Sequence, residues 1–210
     1  MKNWKIYVNK MMKFIKNALG HTRNIITHKW WVFYYACKLG IPFRGFMHDW
    51  SKFSPVEFFE SVKYYQGSSS PIPACKEANG YSLAWQHHKG HNPHHYEYWI
   101  DNVDNGGTPI KMPYKYVLEM VADYLAAGKT YQRKNFTFKS EYEWWKSQRQ
   151  LRNMHEDTKM FLDIVFGYLM MYGFDDDLIY FASEYIYTDE LTLETYHKHM
   201  EFILRKNNFI

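Results

Sequence analysis

Apolar side chains recur at helical spacing over most of the chain, and the two-residue period of a strand is scarce. Between residues 3 and 19, Trp4, Val8, Met11, Met12, Ile15 and Leu19 keep this spacing, while Lys5, Lys10, Lys13 and Lys16 project mainly elsewhere. A basic amphipathic helix of this kind lies on a membrane or grips an acidic partner in some proteins. The commoner arrangement, and the one expected here, is a core helix with a solvated face. A second helix is expected over residues 22–39, ending at Gly40, with Ile41-Pro42 redirecting the chain. A short helix should cover residues 43–53. Ser54-Pro55-Val56-Glu57 then combines a capping residue, a proline at the first helical position and a capping-box glutamate, predicting a helix to about Tyr65.

Residues 67–73, reading GSSSPIP, form the clearest loop in the chain. Helices follow over residues 81–89, ending at Gly90, and over residues 94–103, restarted by Asn92-Pro93. Residues 105–109 break the chain again. Further helices are expected over residues 113–132, 140–172, 175–186 and 191–206. With no internal repeat or low-complexity tract, the expected fold class is all-α: a single multi-helix globule over residues 1–210.

Composition supports one well-buried domain, since 46% of the 210 residues are apolar and 20% aromatic. The formal charge of +4 falls well short of the dense basic face of a dedicated nucleic-acid binder, so none is expected. Such a balance suits an anionic small molecule, and equally no anionic partner at all. Cys37 and Cys75 show no paired spacing and read as free thiols of a reducing cytoplasm. No secretory signal is visible at the lysine-rich N-terminus. The most apolar stretch, residues 160–174, is interrupted by Asp163 and is shorter than the ~20 residues that span a bilayer. A cytoplasmic protein without a transmembrane segment is therefore expected. Its oligomeric state is left open.

Histidine departs from ordinary usage, because five of the eleven lie between His87 and His95. Upstream, His48-Asp49 stands in His48-Asp49-Trp50-Ser51-Lys52, with His28 on an earlier helix and Asp123 on a later one. Histidine nitrogens and carboxylate oxygens suit divalent transition metals, and helical proteins gather such ligands from several helices. Each residue alone has an ordinary explanation. His28 shares a face with Trp31, Val32 and Tyr35, where a lone inward histidine is usually just hydrogen-bonded. Asp123 lies in an almost wholly apolar helix and needs a partner, which a salt bridge or an exposed edge can also supply. Taken together, and with His87, His88, His91, His94 and His95 folded back on one another by the turn from Gly90 to Pro93, they point to a metal. The cysteine partners of a zinc finger are missing.

His28, His48-Asp49 and Asp123 resemble the H…HD…D signature of the HD superfamily of metal-dependent phosphohydrolases, over roughly residues 22–130. Lys52 stands where many members have the lysine of an HDxGK stretch, with Ser51 replacing the glycine. His88 and the pair His94-His95 are similar in order to the additional histidines of dinuclear members. HDWSKFSP and NPHHYEYW are similar to a bacterial and phage branch. The short gap between His88 and His94, and the lack of a GYP sequence, argue against a cyclic-dinucleotide substrate. The resemblance implies an HD-like core, with a C-terminal helical extension over residues 134–210. It also implies one or two ions of Mn, Fe, Ni, Co or Zn. His28, His48, Asp49 and Asp123 would hold the first; His88, His94 and His95 would hold a second, bridged by Asp49. Lowering the pKa of water from about 15.7 toward 7, such ions make hydroxide available for attack on a phosphate ester, plausibly a nucleotide. Asp49 and Lys52 would carry the catalysis, Lys52 as a phosphate contact with Arg44 as a second. Two other readings stand beside this one: an HD-type di-iron oxygenase, and a non-enzymatic helical binding module stapled by a structural metal. Trp30, Trp31, Trp85 and Trp99 can stack a nucleobase but suit core packing better. His155-Glu156-Asp157 reads as a solvated face.

Overall fold

The longest element is α1, a continuous helix over Lys2–Lys38. The computed structural model describes residues 2–67 and 69–175, with the isolated positions 178, 197, 198, 201 and 205. After α1 come α2 (Pro42–Met47), α3 (Pro55–Lys63), α4 (Pro71–Asn79) and α5 (Leu83–His91). Next is a minimal antiparallel hairpin of β1 (Ile100–Asp101) and β2 (Thr108–Pro109), then α6 (Tyr114–Gln132), α7 (Phe138–Gln148) and α8 (Glu156–Tyr172). The described residues thus form an all-helical globule, as the apolar period predicts.

Its core is the meeting of the second half of α1 with α6, α7 and α8. Val32, Tyr35 and Ala36 of α1 pack with Val121, Ala122 and Leu125 of α6, Trp145 of α7 and Leu162, Ile164 and Phe166 of α8. From Thr158 to Leu169 nearly every residue of α8 is buried, so the helix is apolar all round because the protein surrounds it. No helix among the described residues is long and apolar enough to cross a membrane. Asp163, in the middle of α8, accepts from Trp145 Nε1 at 2.8 Å and from Arg149 Nε at 2.7 Å, which supplies the partners a buried carboxylate requires.

Several elements differ from expectation. Residues 3–19 and 22–39 are one helix, because Gly20 serves a close approach and not a stop. A Cβ there would lie 2.5 Å from the Tyr65 hydroxyl. The first half of α1 does not bury its apolar side: Trp4, Tyr7, Met11 and Leu19 are all exposed. The helix expected over 43–53 divides into α2 and a short 3-10 turn, Trp50–Phe53, with His48 and Asp49 between them. Ser54 caps α3 by accepting from the Glu57 amide, but the Glu57 carboxylate turns away to the histidines of α5, leaving the capping box unclosed. The expected loop is shortened by α4, which Ser70 caps.

Gly90 lies inside α5, which runs on to His91. No α-helix covers 94–103, which holds only a 3-10 turn over Tyr96–Trp99. Asn102, Gly106 and Gly107 adopt positive φ and close the hairpin, while Trp99 Nε1 donates to the Pro93 carbonyl at 2.6 Å. The single helix expected over 140–172 starts earlier, behind a Thr137–Ser140 capping box, and breaks between α7 and α8, where His155 caps the new helix. His155-Glu156-Asp157 is partly engaged, since Glu156 pairs with Arg149 and Asp157 with Lys111. The helices expected over 175–186 and 191–206 lie outside the described residues, apart from single positions.

Candidate metal centre

α1 and α6 pack side by side, and this contact sets the first ligands facing each other. His28 lies on the inner side of α1, and its Nε2 is 3.0 Å from Oδ1 of Asp123 on α6. His48 and Asp49 enter from the hinge between α2 and the following turn. His48 has extended backbone, whereas Asp49 is left-handed with φ of 54°, a conformation that aspartate tolerates better than most residues. The Lys29 ammonium donates to the His48 carbonyl and lies over the Trp50 ring, bracing the hinge from α1.

The consequence is a divided carboxylate. Asp49 Oδ2 is 3.1 Å from His48 Nε2 and 3.9 Å from His28 Nε2, while Oδ1 is 3.4 Å from His88 Nε2 and 3.3 Å from His94 Nε2. His95 completes the second group, with its ring centroid 4.7 Å from that of His88 and 4.3 Å from that of His94. Two buried sets of four therefore have ligand atoms within 4.8 Å of one another: His28, His48, Asp49 and Asp123; and Asp49, His88, His94 and His95; a third set of three, His48, His94 and Glu119, meets the same spacing. His87 and His91 stay outside. His87 bonds Glu57 at 2.7 Å, and its ring stacks on that of the exposed His91 at 4.0 Å.

Two carboxylates that the sequence reading did not place in the site orient the histidines from behind. Glu119 Oε1 accepts from His48 Nδ1 at 3.0 Å and from His94 Nδ1 at 3.2 Å. Glu57 Oε2 accepts from His88 Nδ1 at 2.8 Å. A carboxylate on Nδ1 places the proton there and leaves Nε2 as a lone pair, the arrangement found behind metal-bound imidazoles. The signal for Glu119 was present: it stands one helical turn before Asp123 on the same apolar helix, so both acids share a face. Arg44 is taken up by this arrangement. Its guanidinium pairs with Glu119 at 2.6 Å and stacks on Tyr116 at 4.3 Å. Its side chain does not line the cavity described below.

Burial and charge set the protonation of the site. Burial, then the nearby Lys52 charge, lower the His28 pKa to about 4, so its imidazole is neutral. Burial, then His94 and His88, hold His95 well below its usual value. Burial would lower His48 too, but Asp49, Asp123 and Glu119 raise it well above 6.5. Burial opposes ionisation of Asp49, yet His48, Lys52, His88 and His94 keep it well below the usual carboxylate range.

Six atoms of the centre, Nε2 of His28, His48, His94 and His95 and both Asp49 oxygens, are buried without a hydrogen bond of good geometry. Leaving such polar atoms unsatisfied costs about 1–3 kcal/mol each, with Asp49 Oδ2 alone offset by the Lys52 ammonium 2.5 Å away. Divalent cations satisfy all of them at once, and this donor set of imidazole nitrogen and carboxylate oxygen suits Mn, Fe, Co, Ni or Zn. The residues present thus fit a metal.

A cavity of about 460 Å³ opens onto both sets, reaching His28 and Asp123 of one and His88 and His95 of the other. Lys52 also lines it, its Nζ 2.5 Å from Asp49 Oδ2. Trp85, Tyr96, Tyr124 and Trp144 give the cavity aromatic walls, and Arg152 lies near Tyr96 and Trp144. Of the other tryptophans, Trp30 is exposed and Trp99 packs against Tyr116.

Fold and site together define an all-helical protein with a buried histidine–carboxylate centre able to hold metal. The chain belongs to a family of unknown function, DUF5662, which matches residues 17–167. That span includes every ligand of the centre. No curated protein and no solved structure matches the chain.

Proposed function

We propose that the chain is an HD-type hydrolase of phosphate esters, plausibly nucleotides, working with two divalent transition-metal ions. The observation that carries this reading is the Asp49 carboxylate, divided between two ligand sets that share one cavity. When bound, the ions supply Lewis acidity and bring the pKa of water toward about 7. His28, His48, Asp49 and Asp123 would hold one ion and Asp49, His88, His94 and His95 a second. Glu119 and Glu57 keep the imidazoles in register. Lys52, on the cavity wall beside Asp49, meets a phosphoryl oxygen and offsets its charge. The aromatic walls receive the organic part of the ester and exclude water from it. A purely structural metal is a poorer reading, because structural sites are closed by protein ligands and this one faces a cavity.

The test is elemental analysis of the purified wild type and of Asp49→Ala, followed by assay of nucleotides and simple phosphate esters. Metal lost in the variant, with hydrolysis that disappears alongside it, supports the proposal. Iron with dioxygen consumption and no hydrolysis would replace it by a di-iron oxygenase. A wild type that stays metal-free in metal-supplemented medium would overturn it.

A further inference from the structure

No aspartate or glutamate precedes Asp49 in the chain, so the whole of α1 carries basic residues without an acidic one. At about 100° per residue, Trp4, Tyr7, Val8, Met11, Phe14, Ile15 and Leu19 fall within less than half the circumference of its first half. Lys5, Lys10, Lys13 and Lys16 occupy the other side. A helix with this division ordinarily turns the apolar arc inward. Here it does not: Trp4 is 73% exposed, Tyr7 69%, Met11 56%, Ile15 43% and Leu19 69%. Beyond a touch on α3, the helix packs into the body of the protein further on, where Asn17 donates to the Val62 carbonyl and His21, Ile25, His28 and Val32 are buried. The apolar surface continues onto α3, where Phe14 stacks on the largely exposed Phe59 at 6.3 Å. Contiguous apolar surface of this extent on a protein marks an interaction site.

We infer that the first half of α1 docks on an anionic lipid bilayer, lying in its surface plane. The apolar arc enters the acyl boundary, and the flanking lysines meet the phosphate headgroups. Charge selects this partner: a lipid surface offers negative charge and an apolar phase side by side. A nucleic acid would neutralise the lysines yet leave Trp4, Met11 and Leu19 in water. A second copy docked through the same face would bring like-charged lysines together. The segment from Trp4 to Leu19 is about 24 Å long at 1.5 Å per residue, and its lysines suit a surface orientation and not a span.

The experiment is co-sedimentation of the full chain with vesicles of phosphatidylcholine alone, and of phosphatidylcholine mixed with phosphatidylglycerol. We expect binding to the mixed vesicles only, reversed by high salt. Lys10→Gln and Lys13→Gln should each weaken it about fivefold, and the double variant Met11→Ser/Ile15→Ser should abolish it. All four positions are exposed, so circular dichroism and metal content should match the wild type. Failure to sediment with either vesicle overturns the inference. So does equal binding to phosphatidylcholine alone that the lysine variants leave unchanged. Duplex DNA binding, or self-association lost in the serine variant, without vesicle binding would assign the face to those partners instead.

Discussion

Glu119→Gln isolates the contribution of the groups behind the ligands. The substitution keeps the shape of the side chain but removes the charge that accepts from His48 Nδ1 at 3.0 Å and His94 Nδ1 at 3.2 Å. Those two histidines belong to different ligand sets, so one change reaches both metal positions. Loss of such an outer partner costs about 10- to 100-fold in affinity, or about 1.4–2.7 kcal/mol, and here each set should lose that much. Competition against a chromophoric chelator, with manganese or zinc as the titrant, reads both steps. Circular dichroism confirms that the fold persists. Because Glu119 also pairs with Arg44, whose side chain is 28% exposed, Arg44→Met is the control. Partly exposed pairs are worth less than about 1 kcal/mol, so that variant should shift affinity by less than about fivefold. If Glu119→Gln binds both metals as tightly as the wild type, the assignment of Glu119 as the residue that orients His48 and His94 is wrong.

Three further outcomes follow from the geometry. Lys52→Met removes a cation 2.5 Å from Asp49 Oδ2, so metal should bind more tightly while ester hydrolysis drops about 100-fold; unchanged turnover would remove Lys52 from phosphate binding. Burial, then Asp123, raise the Glu141 pKa to about 8, so the folded state holds a proton that the unfolded state loses near 4.5. That contribution is complete below pH 4.5 and fades as pH rises through about 8, at most roughly 4–5 kcal/mol. Urea unfolding of wild type and Glu141→Gln should therefore agree at pH 5 and diverge at pH 9, with the variant the more stable; parallel pH profiles would refute the shift. Asp163→Ala leaves the Trp145 indole without its acceptor and Arg149 with Glu156 alone, and should destabilise by about 1–3 kcal/mol. A measured loss below about 1 kcal/mol would equate the interaction with an exposed pair.

The residues that read most clearly in the sequence are those whose signal is local. The apolar period over α6, the Ser54-Pro55 start of α3 and the crowd of histidines before His95 depend on neighbours a few positions away. What stayed hidden depends on contacts across the fold. The gap expected between residues 19 and 22 closes into one helix, with Tyr65 lying against Gly20. Glu57 fits a capping box until the histidines of α5 claim its carboxylate. The break between α7 and α8 occurs within a run whose apolar spacing alone suggests continuity. Residues 94–103 carry a good helix start, yet Asn102 and the two glycines at positive φ turn the segment into a hairpin. Thus the residues of the centre were legible as a set, while the bonds from Glu119 and Glu57 to its histidines emerge only once the helices are packed.

The His-Asp dipeptide illustrates why a weak sequence signal becomes a strong structural one. Adjacent residues on a helix diverge by about 100°, and on a strand they point to opposite faces. Neither geometry brings both side chains onto one ion. Here the chain leaves α2, passes through extended backbone at His48 and turns left-handed at Asp49, which sets His48 Nε2 3.1 Å from Asp49 Oδ2. The same turn leaves Asp49 Oδ1 free to face His88 and His94. A residue placed this way can serve two positions at once, whereas an aspartate within α2 could face only one side. The sparsely populated conformation at φ of 54° thus has a geometric counterpart, because it sets two neighbours in sequence side by side in one buried cluster and turns the second toward the other.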